Sequence, residues 1–157
     1  MKHWVLHLDL ASPEAWPCFQ RLPELLVGQH GWVEICPAGE PDQALAPLWR
    51  HALACGEPGA LPNRWLAEQV LCAVWQDAPA AGRAALPAVE RLAQVLTPTR
   101  DPDSPAVRQE WAALCERSRQ LGVGRAPLLH RPADGARWVG EAAISQAGRA
   151  QAPAQGL

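Results

Sequence analysis

The apolar positions along the chain fall into two periods. His3 to Asp9, "HWVLHLD", is rich in Val, Leu and Trp and is halted by turn residues, which reads as a buried strand. From Pro13 to Val27 the spacing changes. Trp16, Phe19, Leu22, Leu25 and Leu26 recur at helical intervals, and Gly28 supplies a stop. Gly31 to Cys36, "GWVEIC", alternates as a second strand. A strand, a helix and a strand in such a short span make a β-α-β unit, whose strands usually run parallel.

From Gln43 to about Leu121 the strand pattern disappears. Helical spacing covers Gln43–Cys55, Asn63–Gln76, Ala84–Val95 and Ser104–Leu121, separated by the breakers "GEPGALP", "DAPAAG" and "TPTRDPDSP". Asp103-Ser104-Pro105 is a cap followed by a first-turn proline, a strong start for the longest helix. Two short apolar runs, "RAPLLHR" and "ARWVG", flank the turn "PADG" and predict a hairpin. Glu141 to Ala150 predicts a closing helix. The element order predicts an α/β protein: a thioredoxin-like core (β-α-β, then β-β-α) in residues 1–40 and 122–150, an all-helical insertion in 41–121, and a flexible tail in 151–157.

Length and charge narrow the function classes. A chain of 157 residues suits one domain. Its formal net charge of −2 gives no electrostatic footprint for nucleic acid or an anionic membrane. No apolar run reaches the ~20 residues of a membrane span, and the N-terminus lacks a secretory signal, so the expected compartment is the cytoplasm. The five cysteines, at 18, 36, 55, 72 and 115, form no C-x-x-C, so neither a dithiol pair nor a zinc knuckle is written in the sequence, and no metal is expected. Cys18 reads as a buried helix thiol rather than a redox centre, and His51 with Cys55 as a helix face rather than a metal site.

Ser12 carries the chemical question. Taken by itself, Ser12 followed by Pro13 and Glu14 is a helix start, with Ser12 at the N-cap and Pro13 at the first helical position. Yet it would lie where the first strand ends and the first helix begins, the edge at which open α/β sheets bind ligands. A hydroxyl there could hydrogen-bond a bound thiol in its ionised form and so lower its pKa.

"HLDLASPEAWPCFQRLPEL" resembles the opening of the DsbA family, in particular its branch of 2-hydroxychromene-2-carboxylate isomerases and kappa-class glutathione transferases. Asp9, Ser12, Pro13, Ala15, Trp16, Arg21, Leu22 and Pro23 fall into that pattern without a gap. The family's C-P-x-C motif would occupy Ser12 to Ala15, where both cysteines are missing. "ERSRQLGVGRAPLLHRPADGARWVGEAAI" resembles the family's closing block through Gly122, Val123 and Pro127, and "LCAVWQDAP" its helical insertion. The resemblance implies that Pro127 is a cis-proline facing Ser12; the residues alone leave an ordinary trans proline at a strand start equally open. It further implies a glutathione site: Ser12 as catalytic thiolate stabiliser, with Pro13, the backbone of Ala126, Pro127 and Glu141 around it. Asn63 would match an insertion residue that reaches glutathione, although its place before an apolar-periodic run also makes it a helix cap.

This sequence departs from the pattern at Glu14, whose carboxylate would repel a thiolate, at Arg125, and in "WVGEAAI", which lacks the family's D-R pair. Two functions follow. One is a glutathione-dependent isomerase or transferase acting on a small electrophilic substrate, with a homodimer as its implied assembly. The other is a catalytically inactive thioredoxin-like module that binds a protein or peptide, to which exposed tryptophans such as Trp16 or Trp138 would contribute.

Overall fold

The computed structural model describes residues 2–26, 31–76 and 85–151. Four strands form one sheet: β1 (Lys2–Asp9), β2 (Gly31–Ala38), β3 (Leu128–Arg131) and β4 (Ala136–Val139), in the order β2-β1-β3-β4. β1 and β2 run parallel in continuous register from Lys2↔Gly31 to Asp9↔Ala38. β3 is antiparallel to both β1 and β4. This is the expected thioredoxin-like arrangement, in which only the third strand opposes the rest. β2 runs two residues further than the sequence pattern suggests and takes in Pro37, which an edge strand tolerates because one side of its backbone needs no ladder partner.

Seven α-helices complete the described chain. They are α1 (Ala15–Gln20), α2 (Leu22–Leu26), α3 (Ala46–Cys55), α4 (Arg64–Leu71), α5 (Ala85–Ala93), α6 (Pro105–Gln120) and α7 (Ala143–Gln151). Side chains alternate across β1 and sort the protein into layers. Trp4, Leu6 and Leu8 join Val33, Ile35 and Leu129 in a core closed by Leu22 and Leu25 of α2 and by Ile144 and Ala147 of α7. The other face of the sheet, with Val5, His7 and Cys36, lies toward α6, which packs against β2 and also against α3. Among the described residues between β2 and β3, every regular element is helical.

One expected helix, Pro13 to Val27, is two. Pro23 has no N–H to give the carbonyl of Phe19, and its ring crowds that turn, so the chain breaks at Arg21 and restarts at Leu22. The break is fixed against α7, where Arg21 Nη1 donates to Ser145 Oγ at 3.0 Å. The helix end at Val27–Gly28 lies outside the described residues, as do the breaker around 77–82, the start of the third insertion helix at Ala84, and the tail beyond Gln151. Gln151 itself ends α7 rather than opening the tail. The expected start of α6 is present: Ser104 Oγ accepts the Val107 amide at 3.3 Å, with Pro105 in the first turn.

α4 continues into a π-helical turn, Cys72–Gln76. The widened turn turns the indole of Trp75 toward the end of β1, where Nε1 donates to the Leu10 carbonyl at 3.0 Å. Arg91 of α5 donates to the Ala73 carbonyl at 2.7 Å, occupying an acceptor that the π geometry displaces. The insertion is thereby tied to the segment that carries Ser12.

Candidate functional site

The chain leaves β1 through a tight, hydrogen-bonded turn. Asp9 Oδ1 accepts the Ala11 amide at 2.9 Å, and the Asp9 carbonyl accepts the Ser12 amide at 3.0 Å. Ser12 Oγ then accepts the Glu14 amide at 3.2 Å, and its carbonyl accepts the Ala15 amide at 3.2 Å. Ser12 therefore lies two residues before the N-cap instead of at it. By bonding the amide two residues on, its hydroxyl closes a serine turn, and the N-cap position falls to Glu14, which makes no side-chain cap. Ser12 is 1 % exposed, whereas Pro13 is exposed, and Pro13 precedes the helix instead of starting it.

The opposite wall differs from the expectation at Pro127. No peptide bond among the described residues is cis, so Pro127 is trans. A trans proline fits at this point because it directly precedes β3, where its missing N–H falls outside the ladder. The β1–β3 register ends at His7↔Leu128, which leaves Pro127 at the same end of the sheet as Ser12. The Pro127 carbonyl accepts the Gly140 amide at 2.8 Å, and Glu14 Oε1 accepts the next amide, that of Glu141, at 3.4 Å. Glu14 thus bridges the helix start to the turn after β4. Ala126 beside Pro127 is half-buried, and the Glu141 side chain is exposed. Asn63 takes its structural role: it is the N-cap of α4, and Oδ1 accepts the Leu66 amide at 2.8 Å.

Electrostatics at the helix start disfavour a thiolate. The thiol of Cys18, in α1, is pushed up to about 12, first by burial and then by the carboxylates of Glu14 and Glu141, against a smaller pull from Arg21. Burial likewise pushes Cys36 up to about 11 and Cys115 to about 12, and raises Cys55. None of these four is a primed nucleophile. Thiol labelling of the native protein at pH 8 is expected to modify at most the half-buried Cys55 and Cys72, with Cys18, Cys36 and Cys115 reacting only on unfolding. Rapid native labelling of Cys18 would contradict this reading.

A cleft of about 620 Å³ opens beside this turn, at the C-terminal ends of β1 and β2. Asp9 contributes to its floor. Gly39–Pro41 form one wall, α6 from Ala112 to Arg119 a second, and Gly122–Arg125 a third. Gly122 has φ +71°, a conformation that lets the chain turn sharply out of α6. Asp9 is 8 % exposed, and burial raises its pKa, with Glu40 adding a little to the rise while the Ala11 amide, Arg125 and the Gln43 side chain oppose it. Arg119 is taken by Glu116 on the same helix, whereas Arg125 makes no hydrogen bond or ion pair among the described residues. Of the residues expected at a glutathione site, none lines this cleft. Its walls come from separate segments, and the signals for it in the sequence were the "GVG" turn and the arginine that follows it.

The tryptophans also distribute differently. Trp16 is half-buried and stacks on Phe19 with ring centroids 6.1 Å apart, and Trp138 is half-buried beneath Arg131. The exposed indoles are Trp32 and Trp65. Among the described residues no cluster of His, Cys, Asp and Glu is arranged to hold a metal ion, and no helix is long and apolar enough to cross a membrane.

No protein-family model matches the sequence, and no curated protein matches it. Among solved structures, the chain is similar to a proposed protein-disulfide isomerase from Pseudomonas syringae, with a TM-score of 0.59 and 15 % identity over 82 % of this chain and 80 % of that one. At that identity the likeness establishes the shared fold, a thioredoxin-like α/β fold.

Proposed function

We propose that this chain is a thioredoxin-like binding module without thiol chemistry at the start of its first helix, and that its ligand seat is the cleft over Asp9. The observation that carries this reading is the pair of carboxylates, Glu14 and Glu141, beside the helix start. They raise the Cys18 thiol and would raise a bound thiol in the same way. The helix that would have to offset them, α1, is only six residues long. The cleft has the size and position of a ligand site: it lies beyond the carboxyl ends of parallel strands, and its volume falls within the range of small-molecule sites.

A second reading retains a glutathione-dependent isomerase or transferase of the DsbA type. Ser12 and Pro127 share one end of the sheet, and the Ser12 hydroxyl accepts a hydrogen bond but donates none among the described residues, so its proton remains available. A backbone-resolved NMR titration with reduced glutathione, beside a fragment library, separates the two. The binding-module reading expects fragments to shift the Gly39–Glu40 and Gly122–Arg125 amides and glutathione to leave the Ser12 turn unperturbed. Glutathione shifts centred on Ser12 and Ala126, lost in Ser12→Ala together with the ligand's thiolate absorbance, would establish the second reading. In the binding-module reading Ser12→Ala costs only about 1 kcal/mol of stability, the worth of its bond to the Glu14 amide. A cleft that no fragment perturbs would overturn the first reading.

A further inference from the structure

A second groove, of about 560 Å³, opens between α1 and the start of α4 and shares no lining residue with the Asp9 cleft. Three aromatic rings converge on it instead of lying scattered over the surface, where single ones would need no explanation. Trp65, on α4, is 54 % exposed, and its Nε1 donates to no acceptor among the described residues. Trp16, half-buried on α1, stacks on Phe19 at an interplanar angle of 14°, which holds its ring in one orientation. An indole left more than half in water adds little to folding, so the core does not account for Trp65.

The polar groups around these rings are equally free. Arg64 and Glu68 lie one turn apart on α4, the spacing at which opposite charges ordinarily pair. Yet they form no ion pair, and neither side chain makes a hydrogen bond among the described residues. The Gln20 side chain on α1 is likewise unbonded, and Gln76 of the π turn uses only its carbonyl oxygen, which accepts the Cys72 thiol at 3.0 Å. The groove thus offers donors (a guanidinium, an indole N–H and two amide groups) beside acceptors (a carboxylate and an amide carbonyl), and its two charges cancel. An anion would face Glu68. A proline-rich segment supplies carbonyl acceptors but no donors, and would leave Glu68 and the Gln20 carbonyl unmatched. A nucleobase presents its donors and acceptors along an edge, whereas these groups surround the rings from α1, α4 and the π turn. A pyranose ring has what the set needs: an apolar C–H face for an indole, and hydroxyls around its rim that each donate and accept.

We infer that this groove binds a neutral oligosaccharide, one pyranose ring lying on the Trp65 indole with its hydroxyls shared among Arg64, Glu68 and the two glutamines. This is a second seat, independent of what the Asp9 cleft takes. Its volume of about 560 Å³ falls within the range of small-molecule sites and exceeds what a single pyranose fills. Hydroxyls on the Glu68 carboxylate and the Arg64 guanidinium form charge-assisted hydrogen bonds, which fix the ring's orientation, while the indole supplies the apolar contact.

The test titrates cellotriose and maltotriose into the full chain, with glycerol, hexaproline and adenosine as comparators, and follows backbone amide and indole N–H signals by NMR. At least one trisaccharide is expected to shift the Trp65 indole and the amides of Arg64, Trp65 and Glu68, while the amides of Gly39–Glu40 and Gly122–Arg125 stay in place. Trp65→Ala, at a position the core does not use, should weaken that binding about tenfold or more. Glu68→Gln, which keeps the shape and removes the charge, should weaken it less, with the rest of the spectrum unchanged. No shift from either trisaccharide at concentrations on the order of tens of millimolar would overturn the assignment. So would shifts that survive Trp65→Ala or that glycerol reproduces, since glycerol has the hydroxyls without the apolar ring face. Hexaproline or adenosine binding the groove more tightly than either sugar would overturn it as well and hand the site to that class.

Discussion

His7→Leu is expected to leave the protein at least as stable as the parent at pH 7, gaining about 1–2 kcal/mol, and to flatten much of its acid sensitivity. His7 lies in the middle of the sheet and is 0 % exposed, and neither Nδ1 nor Nε2 has a hydrogen-bond partner. Its surroundings reject a second proton: Cys36 is its register partner on β2, Arg117 faces it from α6, His130 from β3 and Arg137 from β4. Burial first, and then these cations, push its pKa from 6.5 down to about 4. Between those two values the unfolded chain binds a proton that the folded chain does not, so stability falls as the pH drops through the window and the loss levels off below about pH 4. At ~1.4 kcal/mol per pKa unit the full loss is on the order of 3 kcal/mol. His130 is shifted in the same direction, chiefly by burial, so the variant retains part of the slope. Urea unfolding at pH 7 and pH 5 measures both effects. A variant less stable at pH 7 with an unchanged pH slope would show that the ring is bonded in the native state.

His7 also marks where the sequence stopped being informative. The apolar run of β1 and its β-α-β continuation were legible because buried parallel strands and an amphipathic helix have distinct periods. His3 and His7 occupy alternate positions that a half-solvated strand would give to water, yet His7 is buried on the side of α6, about a hundred residues later. Long-range coverage of that kind leaves no local trace. The break at Arg21 did leave one in Pro23, but the regular spacing of Leu22, Leu25 and Leu26 masked it. Pro127 shows the opposite weakness. Its cis isomer came from a resemblance, while the residue chemistry allowed either isomer, and the strand start takes the trans form. The sequence around Ser12 indicates its end of the sheet but not its local geometry, because a serine turn and an N-cap share the same sequence and differ only in which amide the hydroxyl takes. The cleft was out of reach, since Asp9, Glu40, Cys115 and Arg125 converge only once β1, β2, α6 and the glycine turn are assembled.

Trp75→Ala is expected to cost about 3 kcal/mol, and Trp75→Phe about 1–2 kcal/mol, with the damage concentrated at the Ser12 turn. Two contributions of the indole are separable. Its ring packs, half-buried, on the main core, and its Nε1 occupies the carbonyl of Leu10, a residue 0 % exposed at the exit of β1. Alanine removes both. Phenylalanine keeps most of the packing but leaves the Leu10 carbonyl, shut away from water, without its donor. The π-helical turn departs from regular α4 geometry, and Arg91 covers the Ala73 carbonyl within it. Straightening the turn would rotate Trp75 away from the strand end and release the insertion from the segment between Asp9 and Ala15. Hydrogen exchange distinguishes this from a general loss of packing. In Trp75→Phe the amides of Ser12, Glu14 and Ala15 should exchange faster than in the parent, while those at the centre of β1 slow or quicken only with global stability. Uniform changes across the sheet, or a phenylalanine variant as stable as the parent, would reduce Trp75 to a packing residue. The cleft floor at Asp9 would then owe its geometry to the Ala11 and Ser12 amides, the Gln43 side chain and the ladder to β2.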